Sequence, residues 1–542
     1  MFLSTLDFLI LGLYGISLLA VALYVSREPK GETKDTDDYF LAGRLLPWWA
    51  IGASLIAANI SAEQIIGMSG SGYVIGLAIA SYEWMAAITL ILVGKFLLPV
   101  FLKRQIYTMP QFLDQRYGGT VKITMSVFWL AVYTLVNLTA VLWLGALAVN
   151  TLTGVDYFWG MAALAGFAVA YSMYGGLKAV ALTDIIQVVI LVLGGLFIAY
   201  FTMKMIGGDQ GIWGGFTRLH TELPGKFHMI LDKSHPHYAD LPGIGVLVGG
   251  MWIMNISYWG FNQYIIQRAL AAKDIAEAQS GLAFAAFLKL LMPVIIVLPG
   301  IAAALLSMDS MHNVIDPAVL DPGLCTEALH VCGKPDRAYP EVMKLLPAGV
   351  RGLIFAALIA AITSSLASMM NSIATIFTMD IYKGFRPSQS EHHYVGIGRL
   401  AALSAMIIAL MTAQPLLGKL DQAFQYIQEY TGFFTPGIVA IFLLGIFWKR
   451  TNAHGAMAAI LGSLVFSIAL KFLLPTMPFI DRVGWAFGLS VAAGIVISQI
   501  TLPPHEDRSV HLGDISFATS RRYNLAAATV ALVLIALYAY FW

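Results

Sequence analysis

Glu83 and Lys289 are ionisable residues set in otherwise apolar runs, Ala78-Ile-Ala-Ser-Tyr-Glu83-Trp-Met-Ala-Ala-Ile-Thr-Leu-Ile-Leu-Val93 and Gly281-Leu-Ala-Phe-Ala-Ala-Phe-Leu-Lys289-Leu-Leu-Met-Pro293. A charge at the centre of a membrane span costs about 2.5–3.5 kcal/mol even on insertion scales. Residues of that cost face a cavity, find a partner or handle a polar substrate. Opposite signs allow two readings, a structural ion pair or two walls of one polar site. With Gln64, Asn255 and Gln428 they offer carboxylate, ammonium and amide groups. That mixture suits neutral polyols, whose hydroxyls both donate and accept. A carboxylated solute calls for an Arg fork, and no Arg lies at mid-span. Phe424 and Gln428, four apart, share a helix face, as do Glu83 and Ala86, three apart.

A second set of groups suits a cation, which takes hard oxygen ligands. Thr363-Ser364-Ser365-Leu-Ala-Ser368 clusters four hydroxyls in one apolar segment, with Ser364 and Ser368 on one face. Such hydroxyls also serve packing or bond back to the preceding turn, but four together favour a sodium site. Asp184 opens an apolar segment. It feeds cations electrostatically or sits at a helix N-terminus. No Walker loop, His-Glu-x-x-His or Cys/His metal spacing occurs. The chain reads as no enzyme, and without a nucleotide site its energy comes from an ion gradient.

These residues need membrane helices to hold them. The 542 residues are 58% hydrophobic and 12% charged, about half the charge of soluble domains, with mean hydropathy +0.76. A net charge of +1 gives no reason to expect nucleic acid. The reading is an all-α polytopic membrane protein, a single transporter domain over 1–542. At about 20 apolar residues per span, fourteen spans are expected. They lie near 5–25, 46–67, 73–100, 121–152, 157–174, 182–205, 242–266, 279–307, 344–380, 395–413, 423–447, 454–475, 480–502 and 523–541. The first lacks a basic n-region and an Ala-x-Ala site, so it reads as retained.

Two spans are polar in their middles, Asn59-Ile-Ser-Ala-Glu-Gln64 and Asn255-Ile-Ser-Tyr258. Interruptions at matching places in two halves point to inverted repeats and a midplane site. Unwound backbone there offers carbonyls to a cation. The repeats are expected at 46–205 and 242–447, with an extra helix and loop at 5–45 and C-terminal helices at 454–542. Nineteen Lys and Arg residues fall on one set of connections, against Lys419, Lys471 and Arg482 on the short ones opposite. The positive-inside rule then puts both termini, and the loops 206–241 and 308–343, outside the cell. Cys325 and Cys332, the only cysteines, share the second loop. An oxidising side allows a disulfide between them; two free thiols are the other reading.

Several segments resemble the sodium/solute symporter family over nearly the whole chain. They include Tyr171-Ser-Met-Tyr-Gly-Gly-Leu-Lys-Ala-Val180, Gln263-Tyr-Ile-Ile-Gln-Arg268, Ser364-Ser-Leu-Ala-Ser-Met-Met-Asn371 and Phe447-Trp-Lys-Arg-Thr451. Tyr39-Phe-Leu-Ala-Gly43, Ala57-Ala-Asn-Ile-Ser-Ala-Glu-Gln64, Ala80-Ser-Tyr-Glu-Trp84, Tyr258-Trp-Gly-Phe-Asn-Gln263 and Phe424-Gln-Tyr-Ile-Gln-Glu-Tyr-Thr-Gly432 resemble its sodium/glucose branch. The resemblance implies the leucine-transporter-like fold and sodium-driven uptake of a galactose- or glucose-type monosaccharide through the inner membrane. It implies sugar ligands at Gln64, Glu83, Asn255, Lys289 and Gln428, with Tyr258 stacking as the inner gate. Met68, Tyr82 and Phe424 would close the outer side. Sodium would take the carbonyls of Ala57, Ile60 and Ala361 and the hydroxyls of Ser364 and Ser365, leaving past Asp184. Ala86 stands where a galactose-transporting member has a sugar-contacting serine, so the preferred sugar stays open. Ala367 stands where two-sodium members have a serine, which favours one sodium per sugar. Symport of sialic acid, inositol or an amino acid, and sugar sensing on the same scaffold, are the alternatives.

Overall fold

A computed structural model describes residues 3–25, 46–106, 108–309, 334–418, 422–503 and 508–542. The side chains of 19, 22, 23, 25, 171, 173–184, 308 and 309 lie outside that description. Cys325 and Cys332, and the side chain of Asp184, are therefore outside the described residues.

Helices account for nearly all of the described structure. Nine of them are long and apolar enough to cross a membrane, or eleven when each bent pair is one span. The other expected spans correspond to the shorter apolar helices Thr5–Leu18 and Tyr157–Ala170 and to the interrupted stretch 244–270.

The helical run Tyr157–Gly207 is 51 residues long, where two spans are expected. Its packing shows that it turns back on itself. A Cβ on Gly145 would lie 2.8 Å from Leu164 and 3.1 Å from Ile362, and one on Gly194 would lie 3.2 Å from Ile354. Leu164 and Gly194 would be about 45 Å apart along a straight helix. Ile354 and Ile362, which they approach, are about 12 Å apart. The reversal therefore falls between Leu164 and Gly194, consistent with two crossings.

The first polar span is broken. Trp48–Asn59 ends where Ile60 turns extended (φ −71°, ψ 91°). The chain resumes as Glu63–Val74 at 62° to the first half. The second half opens on a reciprocal cap. Ser61 Oγ accepts from the Glu63 N–H at 3.1 Å, while the Ser61 N–H donates to Gln64 Oε1 at 3.2 Å.

The second polar span breaks later than its Asn-Ile-Ser suggests. Asn255 lies inside Gly250–Ile256, a π-helical turn follows over Ser257–Phe261, and the backbone becomes extended at Asn262 (φ −84°, ψ 121°). Tyr133, from another span, sets this break. Its hydroxyl donates to Asn262 Oδ1 at 2.6 Å and accepts from the Gln263 N–H at 2.9 Å.

Around these breaks stand the glutamate helix Ser81–Leu92, the lysine helix Ile275–Asp309 and the serine helix Val350–Thr375. Trp84 Nε1 donates to the Leu290 carbonyl at 3.3 Å, which registers the first two one residue from Glu83 and Lys289. The extra helix Thr5–Val25 holds the serine helix by its N-terminus. There the Asp7 carboxylate accepts from the N–H groups of Gly349 (2.7 Å) and Gly352 (2.9 Å) and pairs with Arg351 at 2.8 Å. An anion is favoured at a helix N-terminus.

Candidate solute and cation site

Ten of the residues singled out in sequence line one cavity of ≈ 130 Å³: Gln64, Met68, Tyr82, Glu83, Ala86, Asn255, Tyr258, Lys289, Phe424 and Gln428. The broken helices bring them together from five segments distant in the chain.

Lys289 is fully buried and lies 2.5 Å from Glu83 Oε2. It also donates to Asn59 Oδ1 and sits 5.0 Å from the Trp259 ring centroid. Asn59 Nδ2 in turn donates to the Tyr258 hydroxyl at 3.0 Å, and that hydroxyl accepts from Tyr264 at 2.9 Å. The ion pair and Tyr258 are thus joined through Asn59, the last residue before the first break. Burying the pair costs several kcal/mol per ion, which is offset when hydrogen bonds satisfy the remaining donors and acceptors. Asn59 supplies one of those bonds.

Gln64 has a second task that its side-chain chemistry alone did not reveal. Its Oε1 accepts from both the N–H and the Oγ of Ser61, at 3.2 and 2.8 Å. The amide is held by the cap, with its Nε2 end left to meet a ligand. Asn255 donates to the Met251 carbonyl one turn back at 3.1 Å.

One side of the cavity is covered by Met68, Tyr82 and Phe424. Met68 and Phe424 are 1% exposed. Tyr82 meets Phe424 edge to face at 5.2 Å between centroids. A Cβ on Gly67 would lie 2.9 Å from Phe424 Cβ, so glycine there makes room for the aromatic cover. Tyr258, by contrast, is half-buried.

The residues expected to hold a cation are all buried, and none of them lines the cavity. Ala57, Ile60, Ala361, Ser364 and Ser365 are each no more than 3% exposed. Ser365 Oγ donates to the Ala58 carbonyl at 3.2 Å, which sets the serine helix against the break. In an unbroken helix the Ser61 N–H would bond to the Ala57 carbonyl; here it is directed to Gln64. The break therefore frees an oxygen of the kind a hard cation takes. The four hydroxyls do not act alike. Thr363 bonds back to Ile359 at 2.9 Å and Ser368 to Ser364 at 2.8 Å, both structural uses. Ser368 also accepts from the buried Arg268, which donates to Ser54 Oγ at 2.7 Å.

Sequence reasoning missed Glu63, Asn137, Trp259 and Asn262 as cavity residues. For Asn137 the signal was present, since it follows Tyr133 by four in an apolar segment.

The chain is 50% identical, over 100% of its length and 99% of the relative's, to a sodium/glucose cotransporter of Vibrio parahaemolyticus. It is 33% identical to the sodium/myo-inositol cotransporter 2 of Sus scrofa, over 86% of this chain and 70% of that one. Among solved structures, a substrate-bound, outward-open Na+-coupled sialic acid symporter superposes with TM-score 0.78 at 24% identity, covering 93% of this chain and 99% of that one. That similarity shows the fold, which is of the leucine-transporter type. Residues 39–462, which carry both helix breaks, the ion pair and the serine helix, match the sodium:solute symporter family, and the chain belongs to it.

Proposed function

We propose that this chain is a secondary active symporter that moves a neutral monosaccharide, of the galactose or glucose type, with one sodium ion. One observation carries the reading: Asn59 joins the two sites. Its side chain links Lys289 to Tyr258, and its backbone neighbours Ala57, Ala58 and Ile60 carry the carbonyls at the break. Sodium held by Ala57, Ile60, Ala361, Ser364 and Ser365 steadies the break and, through Asn59, the sugar cavity. A ligand shifts a conformational equilibrium only by its differential affinity for the two states, and this linkage supplies such a difference.

In this reading Gln64, Glu83, Asn255, Lys289 and Gln428 bind the sugar hydroxyls. Met68, Tyr82 and Phe424 close over it from outside, and Tyr258 stacks on the ring until the inner side opens. Sodium leaves past Asp184. Rocking of one helix bundle then exposes both ligands inward; the two repeats, 46–205 and 242–447, lie in the inner membrane, with both termini outside.

The similarity to a protein named for myo-inositol gives a second neutral, cyclic polyol a place in the test. Competition of sodium-driven uptake in proteoliposomes by galactose, glucose, myo-inositol, sialic acid and amino acids decides the substrate class. Inhibition by a monosaccharide at the lowest concentration supports the reading. Inhibition by sialic acid or an amino acid alone overturns it.

A further inference from the structure

The cavity holds two carboxylates among the described residues, and they are in opposite situations. Glu83 is ion-paired to Lys289. Glu63, in the π-helical turn directly before Gln64, is 6% exposed, and its Oε1 has no hydrogen-bond partner. The one cation lining the cavity, Lys289, is already shared between Glu83 and Asn59. Gln64 is turned to its cap. A buried carboxylate oxygen left unbonded is costly, and the residue that carries it lines the cavity of ≈ 130 Å³.

We propose that Glu63 is a further sugar ligand, accepting a hydroxyl hydrogen from the bound monosaccharide and so making that hydroxyl a requirement for binding. A neutral sugar brings only hydroxyl donors and oxygen acceptors, and a carboxylate accepts without donating. It therefore selects a position where the ligand must donate. A site built to bond a hydroxyl strongly rejects the analogue that lacks it, because the site's polar group is then left unpaired. For a hydrogen bond to a charged group the penalty is about tenfold to a hundredfold in affinity.

The inference rests on the sugar-transport reading, and the experiment separates the two. Sodium-dependent binding of the preferred sugar and of its full set of monodeoxy analogues is measured on the purified full-length protein, in wild type, Glu63→Ala and Glu63→Gln. Wild type is expected to show a penalty of tenfold or more at each recognised hydroxyl. In Glu63→Ala one of those penalties falls to within twofold while the others stay. Glu63→Gln, which has the same volume and keeps an acceptor oxygen, retains a larger share of that penalty. A Glu63→Ala profile parallel to wild type at every position overturns the proposal, as does a change confined to sodium dependence. If Glu63→Ala does not fold or bind, the profile of Glu63→Gln decides: a drop at one position supports the proposal, and a profile parallel to wild type overturns it. Failure of wild type to bind any sugar overturns the sugar-transport reading, and with it this inference.

Discussion

Lys289 donates to Asn59, the last residue before the chain breaks in the middle of its first polar span. The contact ties a fully buried charge to the break that leaves the Ala57 carbonyl without its helical N–H partner. The Lys289–Glu83 pair is thus one end of a chain of bonds that continues through Asn59 to Tyr258 and Tyr264.

A purely structural pair and a sugar-binding pair respond differently to mutation. Removing one partner of a buried pair costs about 3–5 kcal/mol, whereas replacing both is often neutral. Glu83→Gln and Lys289→Met should each lower the melting temperature and abolish uptake. The double variant should regain most of the melting temperature and still transport nothing. Thermal unfolding in detergent together with proteoliposome uptake checks this. Recovery of transport in the double variant would reduce the pair to a structural role.

The cap at the break predicts a split between the two ligands. Loss of a helix cap costs about 0.5–2 kcal/mol. Ser61→Ala removes the hydroxyl partner of both Glu63 and Gln64. It should weaken sodium activation several-fold and leave the order of preference among sugars intact. Gln64→Ala should weaken sodium activation and also cut sugar affinity by tenfold or more. Uptake measured against sodium at several sugar concentrations distinguishes them.

The hydroxyls of the serine helix should separate in the same way. Ser365 reaches the Ala58 carbonyl, whereas Thr363 bonds within its own helix. Ser365→Ala should raise the half-saturating sodium concentration by about tenfold or more, as expected for losing a charge-assisted contact. Thr363→Val should change it less than twofold. Equal effects of the two would remove the basis for assigning Ser365 to sodium.

Much of this site was readable because a polar residue in an apolar span is rare. Glu83, Lys289, Gln64 and Gln428 announced themselves that way, and the spacing of Phe424 and Gln428 put them on one wall. The first break was also readable, from the polar middle Asn59-Ile-Ser-Ala-Glu-Gln64; the cap that Ser61 and Gln64 form there emerged only in the structure. The second was readable as a break but not in its position, because Tyr133 fixes it from a different span. Which serine meets the broken helix depends on the rotation of Val350–Thr375, a tertiary property that spacing does not determine. Glu63 looked like its polar neighbours until its surroundings left one oxygen without a partner.

Packing at the aromatic cover gives a prediction independent of any polar group. Gly67→Ala would drive a Cβ to 2.9 Å from Phe424 Cβ. Overpacking of that kind costs about 1–3 kcal/mol. The substitution should lower uptake about tenfold by preventing closure, while sodium-dependent sugar binding falls less. Gly166→Ala and Gly488→Ala, where a Cβ would meet nothing within 4 Å, serve as controls and should transport normally.

The most direct measurement is uptake of radiolabelled sugar into proteoliposomes under an inward sodium gradient, with a sodium ionophore as the comparison. Coupling through Asn59 predicts accumulation above the outside concentration, saturable in sugar, lost when the ionophore collapses the gradient and absent in Gln428→Ala. Sugar that merely equilibrates, at the same rate with and without the gradient, would contradict it.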